Sequence, residues 1–238
     1  MPDGNFVGRF RSAAATHMGH ERSSNQDALL ELPQLGLWVI ADGMGGYREG
    51  DVASRMVCEA LADFRPGAAL EDSIDALRQR ISDVNQRLHL QSIREVDPVQ
   101  SGSTVVMLLA QSGSCAALWA GDSRVYRLRE GELVQMTVDH SWASELQLRG
   151  VVYELTDHTI TRAVGGEATL LLDVKRDHVL SGDRYLLCSD GLYRELSLRQ
   201  IAALLREGEI ERCTQSLLEA TLAAGAHDNV TLIVVEAC

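Results

Sequence analysis

Five aspartates stand where the end of a strand would carry a side chain into a shared crevice. Asp42 follows Leu37-Trp38-Val39-Ile40-Ala41 and precedes Gly43, while Asp190 follows Tyr185-Leu186-Leu187-Cys188-Ser189 and precedes Gly191. Asp122 follows Ala117-Leu118-Trp119-Ala120-Gly121, Asp228-Asn229 stands directly before Val230–Val235, and Asp27 closes Arg22-Ser23-Ser24-Asn25-Gln26-Asp27. Carboxylates gathered in one place repel one another and lose hydration, which drives their pKa values up unless a cation holds them together. Oxygen-only donors select hard ions, so the chemistry in view is that of magnesium or manganese. The lack of H-E-x-x-H or of a close His-Cys grouping weighs against catalytic zinc. Gly43 and Gly191 would let backbone carbonyls approach such an ion. Taken singly, an Asp-Gly pair is a turn. Two apolar runs of similar length that both end in Asp-Gly are harder to read that way, and at this level both readings stay open. Arg22 offers a planar fork to two phosphate oxygens, although an arginine in so arginine-rich a chain is ordinarily a surface residue.

The elements that must position these residues are legible from hydrophobic spacing. Leu35 to Ile40 reads as a buried strand that stops at Asp42-Gly43. From Glu49 to Phe64, Val52, Met56 and Ala60 with Ala53, Val57, Leu61 and Phe64 predict a helix ended by Pro66-Gly67, and Ile74, Leu77, Ile81, Val84 and Leu88 predict another. Both stripes are core packing. Ser92 to Gly102 is aperiodic and predicts a loop. Ser103–Leu109, Cys115–Ala120, Ser123–Arg129 and Leu133–Met136 follow as consecutive strands, with Glu130-Gly131 as a hairpin turn, which implies an antiparallel sheet. Asp139 to Gly166 is polar and weakly periodic. Leu170–Val174 and Arg184–Ser189 predict strands, Leu198–Arg206 and Glu209–Ala224 helices, and Val230–Val235 a closing buried strand.

Composition excludes several functions. With 238 residues, 45% of them hydrophobic, the chain can bury one full core, and a single domain spanning 1–238 is expected. No uninterrupted apolar run exceeds the six residues of Val105–Ala110, far short of the ~20 that cross a bilayer. Met1 to Ser12 holds no apolar stretch of signal-peptide length, so a cytoplasmic protein is expected. A formal charge of −12 would repel a phosphate-rich polymer. Lys175 is the only lysine, in neither a P-loop nor a kinase strand setting, which rules out both kinds of ATP chemistry. The five cysteines, Cys58, Cys115, Cys188, Cys213 and Cys238, are odd in number and form no C-x-x-C pair; Cys58, Cys115 and Cys188 read as core thiols.

Together, Arg22-x-x-Asn25-Gln26-Asp27, Ala41-Asp42-Gly43-Met44-Gly45-Gly46, Ser101-Gly102-Ser103-Thr104, Ala120-Gly121-Asp122-Ser123-Arg124, Asp139-His140-Ser141, Thr161-Arg162-Ala163-Val164-Gly165, Ser189-Asp190-Gly191 and Asp228-Asn229 resemble the metal-dependent type 2C (PPM) Ser/Thr protein phosphatases of the compact bacterial type. The resemblance runs from about Ala13 to Val235, and the sequence is also similar to the PppA phosphatases of type VI secretion loci. It implies an α+β fold, a four-layer α-β-β-α sandwich of two antiparallel sheets flanked by helices, with a flap at about 141–162 beside the active site. It further implies two core Mn2+ or Mg2+ ions and a third, weaker one. Asp42 would bridge the core ions, the Gly43 carbonyl would bind one of them, and Asp190 and Asp228 would complete that site. Asp27 would lie on the other side, Asp122 with Asp190 would hold the weaker ion, and Arg22 would grip the substrate phosphate. Arg22, Asp42 and Asp190 would thus be the catalytic residues, and a metal-bridging water would attack phosphorus.

Some relatives carry histidine after the Asp-Gly pair, where this chain has Met44, which cannot act as an acid. A metal-bound water is therefore expected to protonate the leaving group, with His17, His20 and His140 more readily structural than catalytic. Trp142, Leu146 and Leu148 would form a small core within the flap. The expected partners are phosphorylated proteins and a cognate Ser/Thr kinase, with no nucleic acid or membrane, and the expected state is a monomer. Two other readings compete. A catalytically silent member of the family would bind a partner through the same cleft, but the full set of aspartates argues against it. A receiver domain would alternate strands with helices and use a late lysine, neither of which is present.

Overall fold

The long apolar runs become strands buried on both faces, and this property builds the architecture. The computed structural model describes residues 9–45, 50–93, 101–148, 150 and 159–238. In chain order its strands are β1 (Phe10–His17), β2 (Asp27–Leu32), β3 (Leu37–Met44), β4 (Gly102–Ser103), β5 (Val105–Gln111), β6 (Ser114–Ala120), β7 (Arg124–Arg129), β8 (Glu132–Gln135), β9 (Asp173–His178), β10 (Arg184–Cys188) and β11 (Val230–Ala237). The helices are α1 (Gly50–Leu61), α2 (Leu70–Ser92), α3 (Trp142–Leu148), α4 (Asp190–Tyr193), α5 (Leu198–Leu205) and α6 (Ile210–Ala224). The strands form a five-stranded antiparallel sheet, β1-β11-β10-β7-β8, and a six-stranded one, β2-β3-β5-β6-β9 with β4 paired to β3.

Alternation along each strand sorts its side chains into different cores. Leu37, Val39 and Ala41 of β3 pack with α1 and α2, whereas Trp38 and Ile40 face the space between the sheets. β5 repeats the division, with Val105, Met107 and Leu109 on the helix side and Val106 and Leu108 between the sheets. In the other sheet, Tyr185 and Leu187 of β10 and Ile233 and Val235 of β11 meet that central core. Leu186, Cys188, Leu232 and Val234 turn outward to α5 and α6. Three cores between four layers require strands that are apolar at every position, which is why β3, β5, β6 and β11 read as continuous runs. The helices are amphipathic because each buries one stripe: Ala53, Val57 and Leu61 on α1, and Ile74, Leu77, Ile81, Val84 and Leu88 on α2. A capping box at Ser197 and Gln200 starts α5, with the Ser197 N–H donating to Gln200 Oε1 at 3.0 Å.

The sandwich expected from the resemblance is therefore present, with several local corrections. β3 does not stop at Asp42 but continues to Met44, because Gly43 and Met44 pair with Ser103 and Gly102 of β4. The late strand begins at Asp173 and not at Leu170, and its edge position tolerates the charges Asp173, Lys175, Arg176 and Asp177. Strands β1 and β2 and helix α3 were not anticipated. Trp142 and Leu148 are exposed at 47% and 75%, so they form no core of their own. Of the flap range, residues 149 and 151–158 lie outside the described residues, as do residues 94–100 of the expected loop; Ser141 and Ile160 are joined by an antiparallel bridge. Cys58, Cys115 and Cys188 are core thiols, one in each core, and burial pushes them up to about 12, 11 and 12. Among the described residues no helix is long and apolar enough to cross a membrane.

Candidate active site

The β2–β3 pairing puts Asp27 directly opposite Asp42. The backbone of Asp42 is then fixed from the β5 side: its N–H donates to Thr104 Oγ1 at 3.1 Å, and its carbonyl accepts from the Thr104 N–H at 2.8 Å and the Ser103 hydroxyl at 3.1 Å. Thr104 also lies 2.8 Å, hydroxyl to hydroxyl, from Ser123, beside Asp122. One polar chain thereby connects the ends of β3 and β6. The second sheet contributes Asp190, at the start of α4 where β10 ends, and Asp228, just before β11. Ser189 donates its hydroxyl across the sheets to Asp27 Oδ2 at 2.9 Å.

Asn229 holds the segment that carries Arg22. Its Oδ1 accepts from the Gln26 N–H at 2.8 Å, and its Nδ2 donates to the Met18 and Ser24 carbonyls at 2.7 and 3.0 Å. Arg22 is consequently set against Asp228, with Nε and Nη2 donating to the two carboxylate oxygens at 2.8 and 2.7 Å. More than half of the Arg22 side chain stays in solvent at 55% exposure, where a ligand can reach it. Close packing at the aspartates leaves no room for side chains at the neighbouring glycines: a Cβ on Gly43 would strike the Gly50 carbonyl, and one on Gly191 the Asn229 carbonyl.

The five carboxylates lie near enough to act on one another electrostatically. Loss of hydration raises Asp42 well above the ordinary carboxylate range, and the charges of Asp27, Asp190, Asp122 and Asp228 each push it further. Asp190 rises to about 7, first through burial and then through Asp122, with Arg194 opposing. Asp27 rises to about 6, again chiefly through burial. Asp122 is also raised, burial acting first. Asp27 Oδ1 and Asp122 Oδ1 are buried and have no hydrogen-bond partner. Unsatisfied oxygens on mutually repelling carboxylates are the donor set of a hard divalent cation, so the residues fit one. Among the described residues no three such groups already stand around a common point; Asp228 is paired with Arg22 and Asp190 with Arg194.

All the aspartates singled out in the sequence therefore meet in one region, with Arg22 at its rim. The three histidines are engaged elsewhere. His140 Nδ1 accepts from the Gly121 N–H at 3.1 Å and its ring stacks on Trp119. His17 Nδ1 accepts from the Gly19 N–H at 3.0 Å, and His20 Nδ1 lies 3.1 Å from the Gly225 carbonyl. Beyond Asp42, a cleft of about 690 Å³ opens beside Met44, Gly102, Glu145, Thr161 and Arg162. The segments that line it are tied down by antiparallel pairing of Ser103 with Val164 and by Asn85 of α2, which accepts from the Gly165 N–H at 2.7 Å and donates to the Glu167 carbonyl at 2.9 Å. Sequence reasoning missed Tyr193 and Arg194. The available signal was the spacing of four between Asp190 and Arg194, which pairs charges on a helical turn.

Comparison with known proteins gives one consistent result. The family profile described as protein phosphatase 2C matches residues 15–227. The serine/threonine protein phosphatase PstP of Mycobacterium tuberculosis is 35% identical over 95% of this chain, which spans 45% of that relative's length. A solved structure described as PppA, a key regulatory component of T6SS in Pseudomonas aeruginosa, is 39% identical and superposes with a TM-score of 0.89 over 96% of this chain and 98% of its own. The catalytic domain of PstP in complex with two manganese ions is 33% identical, with a TM-score of 0.87 over 96% and 98% of the two chains.

Proposed function

The chain belongs to the protein phosphatase 2C family, and from that membership we propose that it hydrolyses phosphoserine and phosphothreonine in proteins with two core manganese or magnesium ions. The observation that carries this reading is the convergence of Asp27, Asp122, Asp190 and Asp228 on Asp42, with Arg22 at the open edge. Asp42 would be shared between the core ions, the Gly43 carbonyl, Asp190 and Asp228 would serve one side, and Asp27 the other. Bound there, the ions would supply positive charge to the phosphoryl oxygens and acidify the attacking water. The protein's own part is positional. Arg22 reaches the substrate phosphate by exchanging its fork from Asp228 to two phosphate oxygens, the change in partner for which its exposure and geometry suit it. The segment pinned by Asn229 keeps it there. Met44 cannot donate a proton, so the leaving alkoxide takes its proton from water at the site. The expected setting is opposition to a cytosolic Ser/Thr kinase, and the similarity to PppA points to control of type VI secretion.

The test is phosphate release from a phosphothreonine peptide with manganese, with chelator, and with Arg22→Ala. Turnover that needs manganese, and that survives in Arg22→Ala with a KM raised roughly tenfold and unchanged metal binding, supports the reading. A folded protein with no turnover supports the silent, partner-binding alternative.

A second expectation concerns stability. Asp190 and Asp27 have folded pKa values of about 7 and about 6, raised from an unfolded value near ~3.9. Between these limits the folded protein holds more protons than the unfolded one, so these groups stabilise it at low pH and their contribution is lost as pH rises through the folded values. A cation that keeps the carboxylates ionised removes this loss. The melting-temperature difference between manganese-loaded and chelated protein is therefore expected to widen from about pH 5 to about pH 8. A difference that is flat or narrows over that range removes the carboxylate cluster as the metal-binding group.

A further inference from the structure

Arg194 follows the single turn α4 and turns its guanidinium back between two buried carboxylates. Nη2 lies 2.8 Å from Asp190 Oδ2 and 3.4 Å from Asp122 Oδ2, while 35% of the side chain remains exposed. Asp122 is gripped from another direction as well. The Tyr193 hydroxyl donates to the same Oδ2 at 3.2 Å, and the Tyr193 ring is capped by Arg124, whose guanidinium carbon sits 3.5 Å from the ring centroid. Arg124 is fixed in turn by a fork onto Asp139, at 2.9 Å from Nε and 2.6 Å from Nη2. Asp122 is thus rigidly held, yet its Oδ1 is buried and unpartnered. Arg194 is the movable member of the group, with one end in solvent.

We propose that Arg194 is a built-in competitor for a divalent cation at the Asp122–Asp190 pair, so that this weakest of the metal positions fills only when the guanidinium swings out to solvent. The inference rests on the reading of these carboxylates as metal donors. A guanidinium and a divalent ion cannot share two adjacent carboxylates without strong repulsion in a poorly hydrated site. Without a cation, the arginine compensates two buried charges and stabilises the fold. With a cation, the same arginine opposes binding. Its removal therefore acts with opposite sign in the two states, which a merely structural arginine would not do.

The experiment compares wild type with Arg194→Gln by calorimetric Mn2+ titration and by melting temperature in chelator and in saturating Mn2+. The expected result is that Arg194→Gln binds its weakest Mn2+ about tenfold more tightly, melts lower than wild type in chelator, and gains more from Mn2+. Arg194→Met gives the same readouts should the glutamine variant not fold. Arg194→Lys, which keeps a cation in place, is expected to retain weak binding. Wild-type affinity in Arg194→Gln, or weaker binding, overturns the proposal and makes Arg194 an organiser of the carboxylates. Should wild type itself take up no Mn2+, the metal-donor reading falls and this inference with it; Mn2+ uptake without tightening refutes the inference alone.

Discussion

Asp42→Asn is expected to lower kcat on a phosphothreonine peptide about a thousandfold or more while raising the melting temperature of the chelated protein. The loss follows from position: Asp42 is pressed by all four of the other carboxylates, which places it to be shared between two ions. An amide there keeps the hydrogen bonds of the backbone to Thr104 and Ser103, because those bonds use the Asp42 main chain and not its side chain. What disappears is a negative charge and one ligand oxygen, and removal of charge stabilisation from a phosphoryl-transfer site costs several kcal/mol of barrier. The gain in stability has the same origin. A desolvated carboxyl beside other carboxylates must either stay ionised against repulsion or take up a proton to escape it, and an amide bears neither cost in the metal-free fold. Kinetics of phosphate release and thermal melting in chelator read the two effects separately. A variant that keeps wild-type turnover would remove Asp42 from the centre of the site.

Gly191→Ala is expected to destabilise the fold by about 3 kcal/mol or more and to abolish measurable manganese-dependent turnover at temperatures where wild type is active. The added Cβ would collide with the Asn229 carbonyl, a backbone atom that no rotamer change can move. The collision pushes Asp190 away from Asp228, since each is the immediate neighbour of a clashing residue. It also strains Asn229, which pins the Arg22 segment through three hydrogen bonds. Gly182 provides the control. It has φ of 85° but nothing near its would-be Cβ, so Gly182→Ala costs only the local left-handed penalty of about 1 kcal/mol. Thermal melting should separate the two variants by several degrees, at about 2–4 °C per kcal/mol for a chain of this size. Equal melting temperatures would mean that the Gly191–Asn229 contact yields without consequence.

The parts of this protein that were legible in its sequence are those whose burial leaves a composition that nothing else explains. Strands β3, β5 and β11 are apolar on both faces, so their runs are continuous and their ends are marked by Asp42, Thr104 and Asp228-Asn229. Helices α1 and α2 cover one sheet and declare themselves by a single stripe. Edge strands offered no such mark. In β1, alanines and polar residues alternate weakly because its neighbour lies on one side only; β2 carries Asp27 and Glu31 in a run that reads as a loop followed by two leucines. At Asp42 the local signal was misleading, since Asp-Gly favours a turn and only the distant Gly102–Ser103 segment keeps the strand going. Convergence of the five aspartates is a long-range fact, fixed by the register of Asp27 with Asp42 and by the facing of the two sheets. Arg194 needed the helical turn after Asp190 before its charge could be placed.

The position of Asp42 on β3 has a further consequence for how the protein loses its site. Segments that open locally are those with few buried apolar contacts and exposed backbone hydrogen bonds. β3 is the reverse, with strand partners on both edges and a packed core on each face. Its amides from Leu37 to Ile40, paired on both sides, are expected to be among the slowest in the protein to exchange with solvent. The central carboxylate is therefore carried by a strand expected to open late, whereas Arg22 and Arg194 keep 55% and 35% of their side chains in water at the rim. Rigidity at the charge centre and mobility at its counter-ions are separated within a few ångströms by which residues sit on a doubly covered strand and which do not.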